Sequence, residues 1–350
     1  MSKTSLLALP AAHAPAPAHA APLVRTFWRE LPVMLLTVGL LAALTGWSIG
    51  DSFALNILST TFLFAGLASA WNLIGGYGGQ FSLGHSVFFA VGAYTTANLY
   101  LRAGITPWVG LMGGAVLAAL VAVAVSWPVF RLRGPFFAIA TMAFTEVALA
   151  IANYWDSATG GTRGMSIPFR LGAANMIFRD RLSYTWIMWG FMAVCLLVAL
   201  AVARSRLGYY LRAVRDNEQA AGAAGIDVLR TKLLGMAVSA ALTGIGGGLF
   251  LFSTRVTDPT AILSLFDFGV KFALIALIGG MGTVYGPLLG ALLIIPLESW
   301  LRAELGGLVP GANVIVLSVL LIMAALFLRH GIVGALRDVR HYALARWRRA

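Results

Sequence analysis

Apolar residues along this chain fall in blocks about twenty long, the length a helix needs to cross a bilayer. Ten such blocks lie near residues 32–49, 53–74, 81–101, 108–130, 136–154, 184–202, 233–252, 266–283, 284–301 and 311–328. The pattern predicts an all-α, polytopic transmembrane helical bundle of about ten spans. A soluble chain with one large core would show amphipathic stripes instead. Two connecting loops are long, 155–183 and 203–232.

Composition agrees with this reading. Of 350 residues, 59% are hydrophobic and 11% are charged, against about 25% charged in ordinary soluble domains. The net charge of +12 follows membrane topology rather than a nucleic-acid partner. With the N-terminus inside, most of the 25 Lys and Arg fall on inside segments, as the positive-inside rule requires. Loop 203–232 and both termini are then cytoplasmic, and loop 155–183 lies outside. The domain plan is a disordered cytoplasmic leader over 1–30, a transmembrane domain over 31–328 and a basic cytoplasmic tail over 329–350. Ala18-His19-Ala20 resembles a signal-peptidase site, but the apolar stretch before it, Leu6–Leu9, is too short for a cleaved signal. The lone Cys195 is expected to be a small core residue.

Loop 203–232 carries a short helix signal. Asp216 stands three residues before Gln219, as a capping box requires, and Gly225 is a good terminator. Glu218, Ala220 and Ala221 lie between them, within a run of small residues whose face can approach a partner's backbone closely. Arg212 and Arg215 flank the run and can pair with acidic groups.

Two glycine-rich segments resemble each other, Leu73–Gly78 and Leu277–Gly282. Glycine clusters at the end of an apolar block point to broken helices lining a cavity or to close packing through small residues. Gly75 and Gly76 have Asn72, Gln80, Ser82 and His85 close by, which favours a break in a translocation pathway. For 279–290 the two readings are equal. The span count puts both segments on one side, so the likeness is either local or a sign of one miscounted span.

Ionisable groups at membrane depth are costly and face the bundle interior. Glu146 lies mid-span and reads as a pathway residue. Asp267 and Lys271, four apart, read as a structural pair that neutralises itself. His85 has no second ligand at metal spacing, so no metal site is expected. No nucleophile and base are arranged for catalysis. None of Lys3, Lys232 and Lys271 follows a glycine, so the chain has no phosphate-binding loop for ATP.

The outer loop holds Thr159, Gly160, Gly161, Thr162 and Gly164. Successive glycines let backbone N–H groups converge on a carboxylate; a plain surface loop is the equal alternative.

The run 212–226 resembles the coupling-loop signature of ABC importer permeases, in which Glu-Ala-Ala precedes a glycine. With segments 72–94, 131–144, 159–168 and 277–293, in that order, the chain resembles the branched-chain amino acid permease family over about residues 55 to 330. The resemblance implies a permease of the bacterial inner membrane that binds no cofactor of its own. It implies a second related permease as heterodimer partner, two ABC ATPase subunits carrying ATP-Mg, and a periplasmic amino-acid-binding protein. By the same resemblance, 216–226 is a cytoplasmic coupling helix and Thr159–Gly164 touches substrate or binding protein. Cargo from the same machinery could instead be urea or short amides. A different class, an ion-coupled carrier using Glu146, Asp267 and Lys271, would not need an elaborated docking loop.

Overall fold

A computed structural model describes residues 23–132, 134–305 and 331–335, with 315–316, 318–319 and 322–323. The leader before residue 23, two thirds of the 311–328 block and the tail after residue 335 lie outside the described residues.

The chain forms helices in the predicted order. These are α1 (Leu23–Trp47), α2 (Ser52–Asn72), α3 (His85–Ala103), α4 (Pro107–Val129), α5 (Pro135–Tyr154) and the short α6 (Asp156–Thr159). After a two-residue strand β1 (Met165–Ser166) come α7 (Arg181–Ala203), α8 (Arg206–Asp216), α9 (Glu218–Ala223) and α10 (Val228–Thr254). Strand β2 (Val256–Thr257), a short α11 (Pro259–Ile262), α12 (Lys271–Gly279) and α13 (Gly286–Leu305) follow. Single π-helical turns extend α2 over Leu73–Tyr77 and precede α12 over Leu265–Val270.

Helix starts follow local chemistry. Asp51 Oδ1 accepts the Phe53 and Ala54 N–H groups at 2.9 and 3.1 Å. Asp227 does the same for Arg230 at 2.9 Å. Pro107 and Pro135 occupy first-turn positions, where a missing N–H costs nothing. The Ser183 hydroxyl and N–H both donate to Asp180 at the start of α7, and they hold its carboxyl below the usual range.

Seven helical segments are long and apolar enough to cross a membrane: those over 30–47, 52–77, 107–129, 135–154, 181–203, 228–254 and 259–279. The expected ten is not reached among the described residues. Helix α3 carries Asn98 and several hydroxyls, and α13 carries Glu298, Arg302 and Glu304, and neither is among the seven.

Helices α2, α3, α4, α7 and α10 form the centre. No hydrophobic effect drives helices together inside lipid, so close packing must do it. Gly92 of α3 and Gly244 of α10 show how: a Cβ on Gly92 would lie 2.1 Å from the Gly244 carbonyl oxygen. Helix α1 is peripheral. Its Glu30 pairs with Arg204, and its Val38 carbonyl accepts from Trp189 Nε1 at 3.1 Å. Cys195 is fully buried, as its apolar setting predicts.

Candidate functional site

Loop 203–232 folds as α8 and α9, at one end of the bundle. Helix α8 buries Gly208, Leu211 and Val214. Arg212 and Arg215 turn toward the bundle, while Arg206 is exposed. Arg212 Nη2 donates to the Ala203 carbonyl at 2.8 Å, and its guanidinium lies 6.0 Å from the centre of the Tyr77 ring. Arg215 Nη1 donates to the Gly76 carbonyl at 3.1 Å while Nη2 holds Asp216 at 3.1 Å.

That pairing corrects the expected cap. Asp216 is the last residue of α8, held by Arg215, so it cannot open the next helix. Asn217 does so instead: its Oδ1 accepts from the Gln219 and Ala220 N–H groups at 3.0 Å each. Gly225 ends α9 with φ +84°, and the Ile226 N–H reaches back to the Ala221 carbonyl at 3.0 Å. This double-bonded ending is a Schellman motif. Ala221 is buried, whereas Ala220, Gly222, Ala223 and Ala224 are exposed.

Glu218 faces inward to Lys232, a residue the sequence reading passed over. The pair joins a half-exposed carboxylate to an ammonium whose side chain is 2% exposed. A lysine four residues into α10, just before an apolar run, was the available signal, since such a charge needs a partner.

The two glycine-rich segments touch. Asn72 Nδ2 donates to the Thr283 carbonyl at 2.8 Å, and its Oδ1 accepts from the Gly282 N–H at 2.8 Å. A Cβ on Gly76 would lie 2.5 Å from Gly282 N. One helical stretch higher, Phe64 packs on Phe268 and Phe272. Helices α2 and α12 therefore run in the same direction, and the sequence likeness is a local, parallel one. Gly75 lies beneath the Trp71 ring. Both segments end beside Arg215, at the same end of the bundle as α8 and α9.

The other residues singled out after the break are packed rather than open. His85 is fully buried. Ser239 gives its hydroxyl hydrogen to the Ala70 carbonyl at 2.7 Å, so it can only accept from His85 Nε2 at 2.9 Å. His85 Nδ1 then accepts from Ser82 at 3.0 Å. Trp71 Nε1 donates to the Ser82 carbonyl at 2.6 Å. Gln80 reaches only the Gly78 carbonyl, at 3.4 Å. Glu146 stands apart from all of these, exposed on α5.

Asp267 and Lys271 do not pair with each other. The π-helical turn breaks their shared register. Lys271 Nζ goes instead to Glu298 at 3.1 Å, with Arg302 on the same oxygen at 2.9 Å. Asp267 accepts from the Ser264 hydroxyl at 2.7 Å.

At the opposite end of the bundle, the outer loop is built rather than slack. Met165 and Ser166 pair antiparallel with Thr257 and Val256. The glycine N–H groups do not converge on an open site. Gly160 N–H binds the Asp156 carbonyl, Gly164 N–H binds Gly161, and Gly161 N–H binds the Thr159 hydroxyl. A Cβ on Gly161 would meet the Asp156 carboxylate at 2.6 Å. Thr162 is exposed.

Two hollows open into the helix layers. One, of about 500 Å³ among α3, α4 and α5, is almost wholly apolar and has Tyr94, Asn98 and Thr159 on its rim. The other, of about 430 Å³, lies between α2, α12 and α13 and is lined by Asp267, Lys271, Glu298 and Arg302 over phenylalanine rings. Among the described residues no three His, Cys, Asp or Glu side chains gather as metal ligands would.

Known proteins place this architecture. A high-affinity branched-chain amino acid transport system permease protein, LivM, of Escherichia coli K12 is 28% identical over 294 residues, covering 77% of this chain and 68% of that protein. A probable LivM of Methanocaldococcus jannaschii is 28% identical over 228 residues, 62% of each chain. The chain thus spans about two thirds of these relatives' length. The LivH permease protein of E. coli K12 is 24% identical over 288 residues, 77% of this chain and 91% of that one. No solved structure matches. The sequence model for the permease component of branched-chain amino acid transport systems matches residues 53–326, and the chain belongs to that family.

Proposed function

We propose that this chain is the membrane-spanning subunit of an ATP-driven importer for branched-chain or related apolar amino acids. ATP-Mg is bound and hydrolysed on two partner ATPases. A second permease completes the pathway, and a periplasmic binding protein delivers cargo. The end bearing α8 and α9 is cytoplasmic, in a bacterial inner membrane, with both termini on that side.

The observation that carries this reading is α9. It is a six-residue helix that presents Gln219 and then only Ala220, Gly222 and Ala223 to solvent, and it is tied at its base by Glu218–Lys232. A helix this bare of side chains gains nothing from solvent and fits a groove on another protein. Arg215 links it onward to Gly76 and hence to the α2 and α12 glycine segments, which gives ATPase movement a path into the bundle.

Glu146 favours a second permease. An exposed carboxylate midway along a spanning helix costs about 2.5–3.5 kcal/mol or more against lipid. A partner subunit or a watered pathway between the two removes that cost. Asn72, Gly75, Gly76, Gln80, Ser82 and His85 shape the inner end of the path rather than touch cargo in this conformation. Thr159–Gly164 and β1 form a surface for the binding protein.

The test is uptake of labelled leucine by vesicles holding the assembled importer, with loaded binding protein outside and ATP inside. ATP-dependent uptake that Ala223→Trp abolishes, with insertion intact, supports the reading. Uptake that persists without ATP and collapses with the ion gradient overturns it in favour of an ion-coupled carrier. Transport of urea but not leucine would reassign the cargo.

A further inference from the structure

The hollow between α2, α12 and α13 is unusual for a bundle of apolar helices, because it holds four formal charges in balance. Lys271 and Arg302 converge on one oxygen of Glu298, at 3.1 and 2.9 Å. Asp267 faces the same space with no cation in salt-bridge reach among the described residues, and only the Ser264 hydroxyl at 2.7 Å. The set therefore presents one carboxylate without a cation and one guanidinium, Arg302, whose side chain is 68% exposed.

Depth adds to the oddity. The hollow runs from the mouth of α2 down to Phe64, twelve residues beyond Ser52, or about 18 Å along the axis. Lys271 lies there, its Nζ 5.4 Å from the centre of the Phe64 ring. A purely structural ion pair needs neither an unmatched carboxylate nor an open volume of about 430 Å³. That size is in the range of small-molecule sites. Asp267 also sits on a π-helical turn, a distortion that accumulates at functional sites. Phe64, Phe250 and Phe268 supply an apolar wall beside the charges.

We propose that this hollow is a binding site for a zwitterionic amino acid on its way through the permease. The cargo's ammonium sits against Asp267, its carboxylate against Arg302 with Lys271 behind, and its aliphatic side chain against Phe64, Phe250 and Phe268. A net-neutral ligand leaves the balance of charge in the hollow unchanged, whereas an amine or an acid alone unbalances it at membrane depth. The inference rests on the import reading above, and it locates amino-acid recognition in the permease as well as in the binding protein.

The experiment is equilibrium binding of labelled leucine to the purified importer complex, without binding protein or nucleotide. Isoamylamine, which lacks the carboxylate, and 4-methylpentanoate, which lacks the ammonium, serve as competitors. The expected result is that leucine binds and that each half-molecule competes at least tenfold more weakly than unlabelled leucine. Asp267→Asn weakens leucine at least tenfold yet leaves 4-methylpentanoate unchanged. Arg302→Gln weakens leucine and leaves isoamylamine unchanged. Elution of both variants as intact complex, with ATP hydrolysis retained, excludes misfolding. Wild-type affinity in both variants, or equal loss for all three ligands, overturns the site. Absence of leucine binding to the wild-type complex also overturns it. If ATP-driven leucine uptake by that complex is nevertheless normal, only the site fails; if uptake is absent too, the import reading fails with it.

Discussion

Arg215 on α8 donates to the Gly76 carbonyl, 3.1 Å away, at the end of α2. One side chain thus joins the solvent-facing helix pair to the place where the two glycine-rich segments meet. Because the acceptor is backbone, the link holds whatever side chains the segment presents. Arg215→Ala removes it while leaving the buried face of α8 intact. The expected outcome is an assembled complex that hydrolyses ATP but no longer adjusts its rate to loaded binding protein, with uptake reduced about tenfold. Parallel assays of ATPase rate and uptake in vesicles check it.

The Glu218–Lys232 pair is lopsided, and so are its predicted mutants. Lys232 is almost fully covered, whereas Glu218 is 37% exposed. Removing the lysine, in Lys232→Met, leaves a carboxylate that water can reach, and stability should change by less than about 1 kcal/mol. Removing the glutamate, in Glu218→Ala, strands a buried ammonium beside the Phe130 ring. The cost should be about 2–3 kcal/mol, within the range for an uncompensated buried charge. Thermal unfolding of the purified protein in detergent should rank the two variants in that order.

Asn72 is fully buried and makes both of its bonds to the second glycine segment. Asn72→Ala deletes two hydrogen bonds and leaves the Gly282 N–H and Thr283 carbonyl to find other partners. A loss of about 2–4 kcal/mol is expected. Asn72→Leu should be worse, since a Cβ on the facing Gly76 would already stand 1.9 Å from Asn72 Oδ1. Protease resistance of 277–286 in membrane vesicles should fall in both.

The α3–α10 contact leaves no room for a methyl group. Gly92→Ala drives a Cβ into the Gly244 carbonyl, and overpacking of this kind costs about 1–3 kcal/mol. Gly190→Ala on α7, where nothing lies within 4 Å of an added Cβ, should be neutral. Comparing detergent-solubilised yields of the two tests whether space or glycine content matters.

The spanning helices were legible because lipid imposes a twenty-residue apolar block: seven of the ten blocks coincide with described segments long and apolar enough to cross a membrane, and blocks 81–101 and 284–301 with the more polar α3 and α13. Helix α9 was legible because capping is local, although the cap itself lay one residue further on, at Asn217. Nothing in the sequence told that Asp216 would be claimed by Arg215 first. Long-range partners were not legible. Lys271 is four residues from Asp267 but bonds to Glu298, twenty-seven residues away, because a π-helical turn rotates one against the other. Loop 155–183 looked like an anion cradle because glycines permit converging N–H groups. Its amides are instead consumed within the loop, which composition alone does not reveal.

Helix α9 closes both of its own ends, with Asn217 at the start and Gly225 at the finish. Its shape therefore owes little to whatever docks on it. A segment that must fold on contact forfeits binding energy to its own ordering, and this one has none left to order. On the importer reading, docking on α9 is thus a matter of rigid fit, with the shape of 217–226 set in advance by its own caps and by the Glu218–Lys232 tie to α10.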